Sequence, residues 1–236
     1  MNEFDKLKIL LPPNHYYSKY KRASTLGIEL ITKSDGALLL KISGKALSNP
    51  TNLGGMTREN IKQLLNIFST QLTLNISEYD LINNSVVLSI DVKKDIYVNK
   101  PTNLYISSIK ELFNKSSKNN EIIIFQKNLG HPESILVKPA TITGKDSFCI
   151  YSKYRELEVN KFKEPEYFDN FAPEFLKKCK NILRFERRLQ SFSAIRKAFH
   201  IKEKGNIPLK VLLDSDSNVI YERFIELIGE PNNETK

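Results

Sequence analysis

Only two of the 236 residues are cysteine, Cys149 and Cys179. Two cysteines cannot build a disulfide scaffold, and this pair has no Cys-x-x-Cys spacing for zinc. Nine glycines and ten prolines are too few for a collagen-like or low-complexity chain. No apolar run approaches the roughly 20 residues that cross a bilayer. The start, MNEFDKLKILLPPNHYY, has too short an apolar stretch for a secretory signal and no small-residue cleavage site. There is no Gly-x-x-x-x-Gly-Lys-Ser/Thr phosphate loop. The expectation is a soluble protein of a reducing compartment, without a membrane partner.

The 40% apolar and 27% charged shares are ordinary for a globular chain, long enough for one full-sized domain or two small ones. The formal charge is +9, and it is unevenly placed. Ten basic residues and only two acidic ones, Glu186 and Glu203, lie between Lys177 and Lys204. A local basic stripe is the electrostatic footprint of a nucleic-acid backbone, although a solvated basic face has the same composition.

Apolar periodicity and turn residues outline the elements. Residues 5–11 read as a short strand ended by Pro12-Pro13. Residues 15–24, HYYSKYKRAS, read as a basic and aromatic arm whose Tyr16, Tyr17 and Tyr20 could clamp single-stranded DNA. Leu26–Thr32 and Ala37–Ile42 form a predicted hairpin around Ser34-Asp35-Gly36. SGKALSNPTNLGG (43–55) reads as a loop, and Thr57 opens a helix carrying Ile61, Leu64, Leu65 and Phe68. Strands follow at 85–92, 122–126, 134–140, 147–153 and 181–189, with helices near 103–114, 171–180, 192–200, 207–214 and 218–228. Without regular βαβ alternation, this order predicts an α+β fold with a mainly antiparallel sheet, helices on one face and C-terminal helices. We expect one domain: an arm over 1–24, a catalytic sheet region over 25–190 and helices over 191–230.

Side chains alternate along a strand. In 85–93, Val86, Leu88, Ile90 and Val92 share the predicted apolar face, leaving Asp91 on the other. In 147–153, Tyr151 and Lys153 lie opposite Phe148 and Ile150. In 182–189, Arg184, Glu186 and Arg188 lie opposite Leu183, Phe185 and Leu189, with Arg187 an exception on the apolar face. If the three strands share a sheet, its polar surface gathers Asp91, Tyr151, Lys153, Arg184, Glu186 and Arg188. Two carboxylates can hold a hard divalent cation. The cation and nearby bases can polarise a phosphodiester, and a tyrosine can attack it. Each residue alone also fits a blander role, a packing tyrosine or a solvated ion-pair face.

At these residues the chain resembles the replication initiators of filamentous phages, the gene II/X family. CIYSKYREL (149–157) and ILRFERRLQSFSAIRKAF (182–199) match the family's Tyr-x-Lys-x-x-Glu-Leu and Arg-Phe-Glu segments. VVLSIDVKKDI (86–96) is similar to its Ile-Asp strand, and KISGKALSNPTNLGGMT (41–57) to its Gly- and Asn-containing segment. Rolling-circle plasmid initiators show a similar order, and the resemblance covers most of 25–200. It implies a site-specific DNA nicking and joining enzyme acting on origin DNA, single-stranded or hairpin, with a host helicase and polymerase, in the bacterial cytoplasm. Tyr151 matches the nucleophile that would form a 5′-phosphotyrosyl link. Lys153 would contact the scissile phosphate or favour the phenolate. Asp91, Glu186 and Glu156 would hold Mg²⁺ or Mn²⁺, Glu156 only if the strand ends or bulges near 153–154. Arg184, Arg187, Arg188, Arg196 and Lys197 would bind phosphates.

The chain departs from the pattern in three places. His15, His131 and His200 are unpaired, so the His-x-His metal motif of many rolling-circle initiators is missing. Ser89 replaces the family's arginine before Ile-Asp, and the chain is shorter than the fullest members. Tyr154 is a second candidate nucleophile if its stretch is helical. Two other classes stay open: a non-catalytic origin-binding relative, and an RNA-binding or structural protein.

Overall fold

The computed structural model describes residues 2–14, 17, 22–25, 27–47, 55–116, 120–128, 131–139, 145–163 and 173–229. The strands are β1 Glu3–Leu11, β2 Arg22–Thr25, β3 Ile28–Thr32, β4 Leu38–Ser43, β5 Val86–Tyr97, β6 Asn120–Asn128, β7 His131–Pro139, β8 Asp146–Ser152 and β9 Ile182–Leu189. The helices are α1 Ile61–Gln71, α2 Thr102–Ser116, α3 Lys153–Lys163, α4 Pro173–Cys179, α5 Phe192–Ala198, α6 Leu209–Leu213 and α7 Val219–Ile228. The fold is α+β, and every strand pair of assigned direction is antiparallel. Among the described residues no helix is long and apolar enough to cross a membrane. The chain forms two compact units, one from 1–93 with 188–217 and one from 94–187 with 218–236.

In the first unit the strand order is β2-β3-β4-β1-β5. β1 pairs with both β4 and β5, so residues 3–11 are sheet and not part of an arm. Tyr17 is buried, and burial followed by the charge of Asp80 pushes its phenol up. Tyr16 and Tyr20 lie outside the described residues. The hairpin of β3 and β4 turns through Gly36 at φ +83°, a left-handed conformation that favours glycine. Gly55 has a different reason: a Cβ there would stand 2.8 Å from that of Glu3, where Met56 bridges to Phe4.

Register splits this sheet into two faces. Ile28, Ile42, Leu7 and Ile90 form one cross-strand row, and all four are buried. The next row, Glu29, Lys41, Lys8 and Ser89, belongs to the other face. A β-bulge between Lys8 and Ile9 pairs Ile9 with Val87, so Val87 enters the core and Val86 and Leu88 stay half-buried. This corrects the simple alternation expected along 85–93, because one extra residue switches the faces.

In the second unit the order is β9-β8-β7-β6. Ile135 opposes Ile150 and Val137 opposes Phe148, all fully buried. Helix α2 packs on β7, β8 and α7 and buries Ile106, Ile109 and Phe113. A file of rings runs from Phe113 to Phe224 (5.8 Å), Phe185 (5.7 Å) and Phe148 (6.3 Å). Edge-on and tilted contacts of this kind add about 0.5–1.5 kcal/mol each beyond area burial. Local caps set the C-terminal helices. The Ser191 hydroxyl accepts from Ala194 N–H at α5. At α7, Asn218 accepts from Tyr221 N–H while Glu222 accepts from Asn218 N–H, a reciprocal cap.

Candidate active site

The two motif segments of the sequence meet in the second unit. Tyr151 is the penultimate residue of β8 and Glu186 lies in β9. The Tyr151 hydroxyl donates to Glu186 Oε2 at 2.7 Å. Glu186 is 1% exposed and Tyr151 is half-buried, so the pair joins a buried carboxylate to a reachable phenol. The aromatic file fixes this geometry from behind: Phe148 and Phe185 meet on the apolar face, and Tyr151 and Glu186 stand on the opposite one.

β8 ends at Ser152, and Lys153 is the first residue of α3. The strand expected over 147–153 therefore ends one residue earlier and starts one residue earlier. That break satisfies the condition on Glu156, since a helical turn brings residue 156 back to 153. The Lys153 ammonium donates to Glu156 Oε2, and Lys153 is 0% exposed. Of the two roles expected of Lys153, contact with the scissile phosphate or favouring the phenolate, the first meets a fully buried ammonium held by Glu156 at the strand–helix junction. Around it, burial pushes the Cys179 thiol up, and the charges of Lys153, Asp95, Arg184 and Glu156 also act on that thiol. The buried Lys153 and Arg184, their half-buried partners Glu156 and Asp95 and the Cys179 thiol form a charged cluster that spacing alone does not reveal, because Cys179 lies outside the matched segments and nothing in the sequence pairs Asp95 with Arg184.

Two arginines expected at a DNA backbone are internal. Arg184, fully buried, grips Asp95 with two hydrogen bonds of 2.6 and 2.7 Å. Arg187, the exception on the apolar face, forks onto Asp146 at 3.0 and 2.8 Å and donates to the Val219 carbonyl at 3.2 Å. A guanidinium on an apolar face needs such a partner. In the first unit, Arg196 donates to the Glu203 and Gly205 carbonyls, fastening the loop after α5. Lys197 is exposed and Arg188 half-buried.

Tyr154 is helical, and its phenol is pushed up by a hydrogen bond to Glu158, then by burial. It lines a recess of about 450 Å³ with Lys180, whose Nζ lies 5.6 Å from the Tyr154 ring centre. His15 lies outside the described residues, as does the side chain of His131; His200 is exposed after α5 at φ +54°.

Asp91 belongs to the first unit, where it accepts from the Gln190 amide at 3.0 Å and lies 3.6 Å from Lys6 Nζ. Among the described residues, no three His, Cys, Asp or Glu side chains gather into a metal-holding group. Asp91, Glu156 and Glu186 each already face a donor or cation of the protein. Asp91 belongs to a different unit from Glu156 and Glu186, and a bound Mg²⁺ or Mn²⁺ needs oxygen ligands converging on one point.

No family model and no curated protein matches the chain. Among solved structures, a rolling circle replication initiator protein from Geobacillus stearothermophilus is similar at 9% identity and a TM-score of 0.41, over 82% of this chain and 76% of that one. A likeness of that size carries no argument about activity.

Proposed function

We propose that this chain is a rolling-circle DNA replication initiator that nicks one strand at an origin through Tyr151. The observation that carries the reading is the 2.7 Å hydrogen bond from the Tyr151 hydroxyl to buried Glu186. It joins the two segments through which the sequence resembles phage and plasmid initiators, and it sets a phenol against a base within proton-transfer reach.

The Tyr151 oxygen attacks the phosphorus as its proton passes to Glu186, and the bond from phosphorus to the 3′ oxygen breaks. The 5′ side stays on the tyrosine, and the 3′ oxygen leaves and takes a proton from water. The phosphodiester is conserved as a phosphotyrosyl ester, so rejoining is the reverse reaction and needs no nucleotide. The N-terminus of α3 begins two residues after Tyr151, and its positive pole favours an anion nearby. Lys153 and Glu156 hold that junction in place. Origin DNA is the proposed partner; host helicase and polymerase would act on the nicked product.

The second reading, a non-catalytic origin-binding relative, is favoured by the complete burial of Lys153, whose ammonium is engaged by Glu156. One experiment separates the two. The protein is incubated with labelled single-stranded and hairpin DNA of its own genetic element, with and without Mn²⁺ or Mg²⁺, and denatured. The proposal expects a covalent adduct that Tyr151→Phe abolishes. An adduct kept in that variant moves the nucleophile to Tyr154 or another tyrosine. Salt-sensitive binding with no adduct on origin DNA supports the binding protein.

A further inference from the structure

The polar face of the first unit's sheet forms a groove of about 630 Å³ across β2, β3, β4, β1 and β5. Four cations line it, Lys6, Lys8, Arg22 and Lys41, against two carboxylates, Glu29 and Asp91. The acids are already engaged. Glu29 accepts from Arg22 at 2.7 Å and Lys41 at 2.8 Å, and the Lys41 bond is the main cause that holds its carboxyl below the usual range. Asp91 accepts from Gln190 and faces Lys6. Lys8 has no acidic partner among the described residues, and an excess of two positive charges remains.

Leu7, Gly27, Ile28 and Ile42 also line the groove, and its other neutral residues are polar. Ser24, Ser43 and Ser89 carry hydroxyls, with Thr25 and the Gln190 amide beside them, and among the described residues no aromatic side chain lines the groove. Cations with hydroxyls and an amide are the usual contacts to phosphate and sugar. These lining residues themselves offer no platform for stacking bases. Lys6 and Lys8 are two residues apart on β1, about 6.7 Å along the strand, so the groove offers a line of charge and not a point.

We propose that this groove is a track for the sugar–phosphate backbone of a single nucleic-acid strand, read with little base preference. The proposal rests on the initiator reading and adds to it a second contact surface, on a different unit from Tyr151. It also gives Ser89 a role: where the initiators carry arginine, this chain sets a hydroxyl opposite Lys8.

The test is fluorescence anisotropy with a labelled oligothymidylate from 50 to 300 mM salt, using the full chain. Lys6→Gln/Lys8→Gln is compared with Lys62→Gln/Lys210→Gln, which removes the same charge from exposed positions of α1 and α6. Each lost phosphate contact lowers the log–log salt slope by about 0.7, so the groove variant loses about 1.4 in slope. With the affinity at 1 M salt unchanged, that is about 25-fold weaker binding at 0.1 M. The helix variant is expected to change less than half as much. Equal changes in the two variants, or none in the groove variant, overturn the track while leaving the initiator reading intact. Displacement by polyglutamate as effective as by unlabelled oligothymidylate also overturns it, since the face would then serve an acidic protein. A wild-type chain that binds no DNA and forms no adduct removes the initiator reading and the track together.

Discussion

Replacing Tyr151 by Phe deletes one hydroxyl and the donor that Glu186 faces at 2.7 Å. The expected stability cost is about 1 kcal/mol by urea denaturation. Glu186→Gln is the sharper test, because it keeps the shape and an acceptor oxygen for the phenol. If the carboxylate takes the proton, Glu186→Gln slows adduct formation by about 10²- to 10⁴-fold with the fold intact. If it only satisfies a buried hydroxyl, the rate stays. Arg184 behaves differently. Its bidentate pair with Asp95 is buried, so Arg184→Ala strands a carboxylate and should destabilise by about 3–5 kcal/mol. A surface phosphate contact would instead leave stability unchanged and weaken DNA binding. Measuring both quantities on Arg184→Ala separates the roles.

At the scale of elements, the outlines were legible wherever periodicity or a cap marks them. The hairpin of β3 and β4 and the three C-terminal helices stand where the apolar spacing puts them. What periodicity could not give is where a strand changes character. The bulge beside Val87 and the switch to helix at Lys153 each move a side chain to another face without a Gly or Pro to announce it. Basic residues in a run cannot be sorted by sequence into paired and solvent-facing, because their acids, Asp95 and Asp146, are distant in the chain. The turn before β5 shows local chemistry deciding an element. Asp80 accepts from the Ser77 hydroxyl at 2.6 Å and the Asn84 amide at 2.8 Å, and these bonds, Ser77 first, hold its carboxyl below the usual value. A lowered folded value means this stabilisation is present above the unfolded pKa of about 3.9 and is lost as pH falls through the folded one. Asp80→Ala should therefore cost under about 1 kcal/mol at pH 7, with the gap to wild type closing as pH falls below about 4. Urea curves at pH 7, 5 and 3.5 check this; a constant gap would show that the carboxylate's charge plays no part.

At the scale of the whole molecule, the chain enters and leaves each unit twice, so neither unit is a continuous stretch of sequence. The single domain read from the sequence reflects this, because no linker composition marks a point where one unit stops. Each unit nevertheless closes its own core. In the second, Phe224 of α7 touches both Phe113 and Phe185 and so ties the C-terminal helix to α2 and to the strand that carries Glu186. Phe224→Ala removes the middle of that file. Because Phe224 is half-buried, the cost should fall at or below the low end of the 3–5 kcal/mol typical of a core Phe. If the cores are separate cooperative units, the loss stays local. Amide hydrogen exchange should then quicken in 102–113, 146–152 and 182–187, and stay unchanged in 7–11, 38–42 and 61–71. Adduct formation should fall with it, because Tyr151 and Glu186 are aligned by the same rings, while binding to oligothymidylate through the groove of the first unit should persist. Equal acceleration in both sets of residues would mean that the chain unfolds as one body, and that the nicking site and the backbone track cannot be weakened separately.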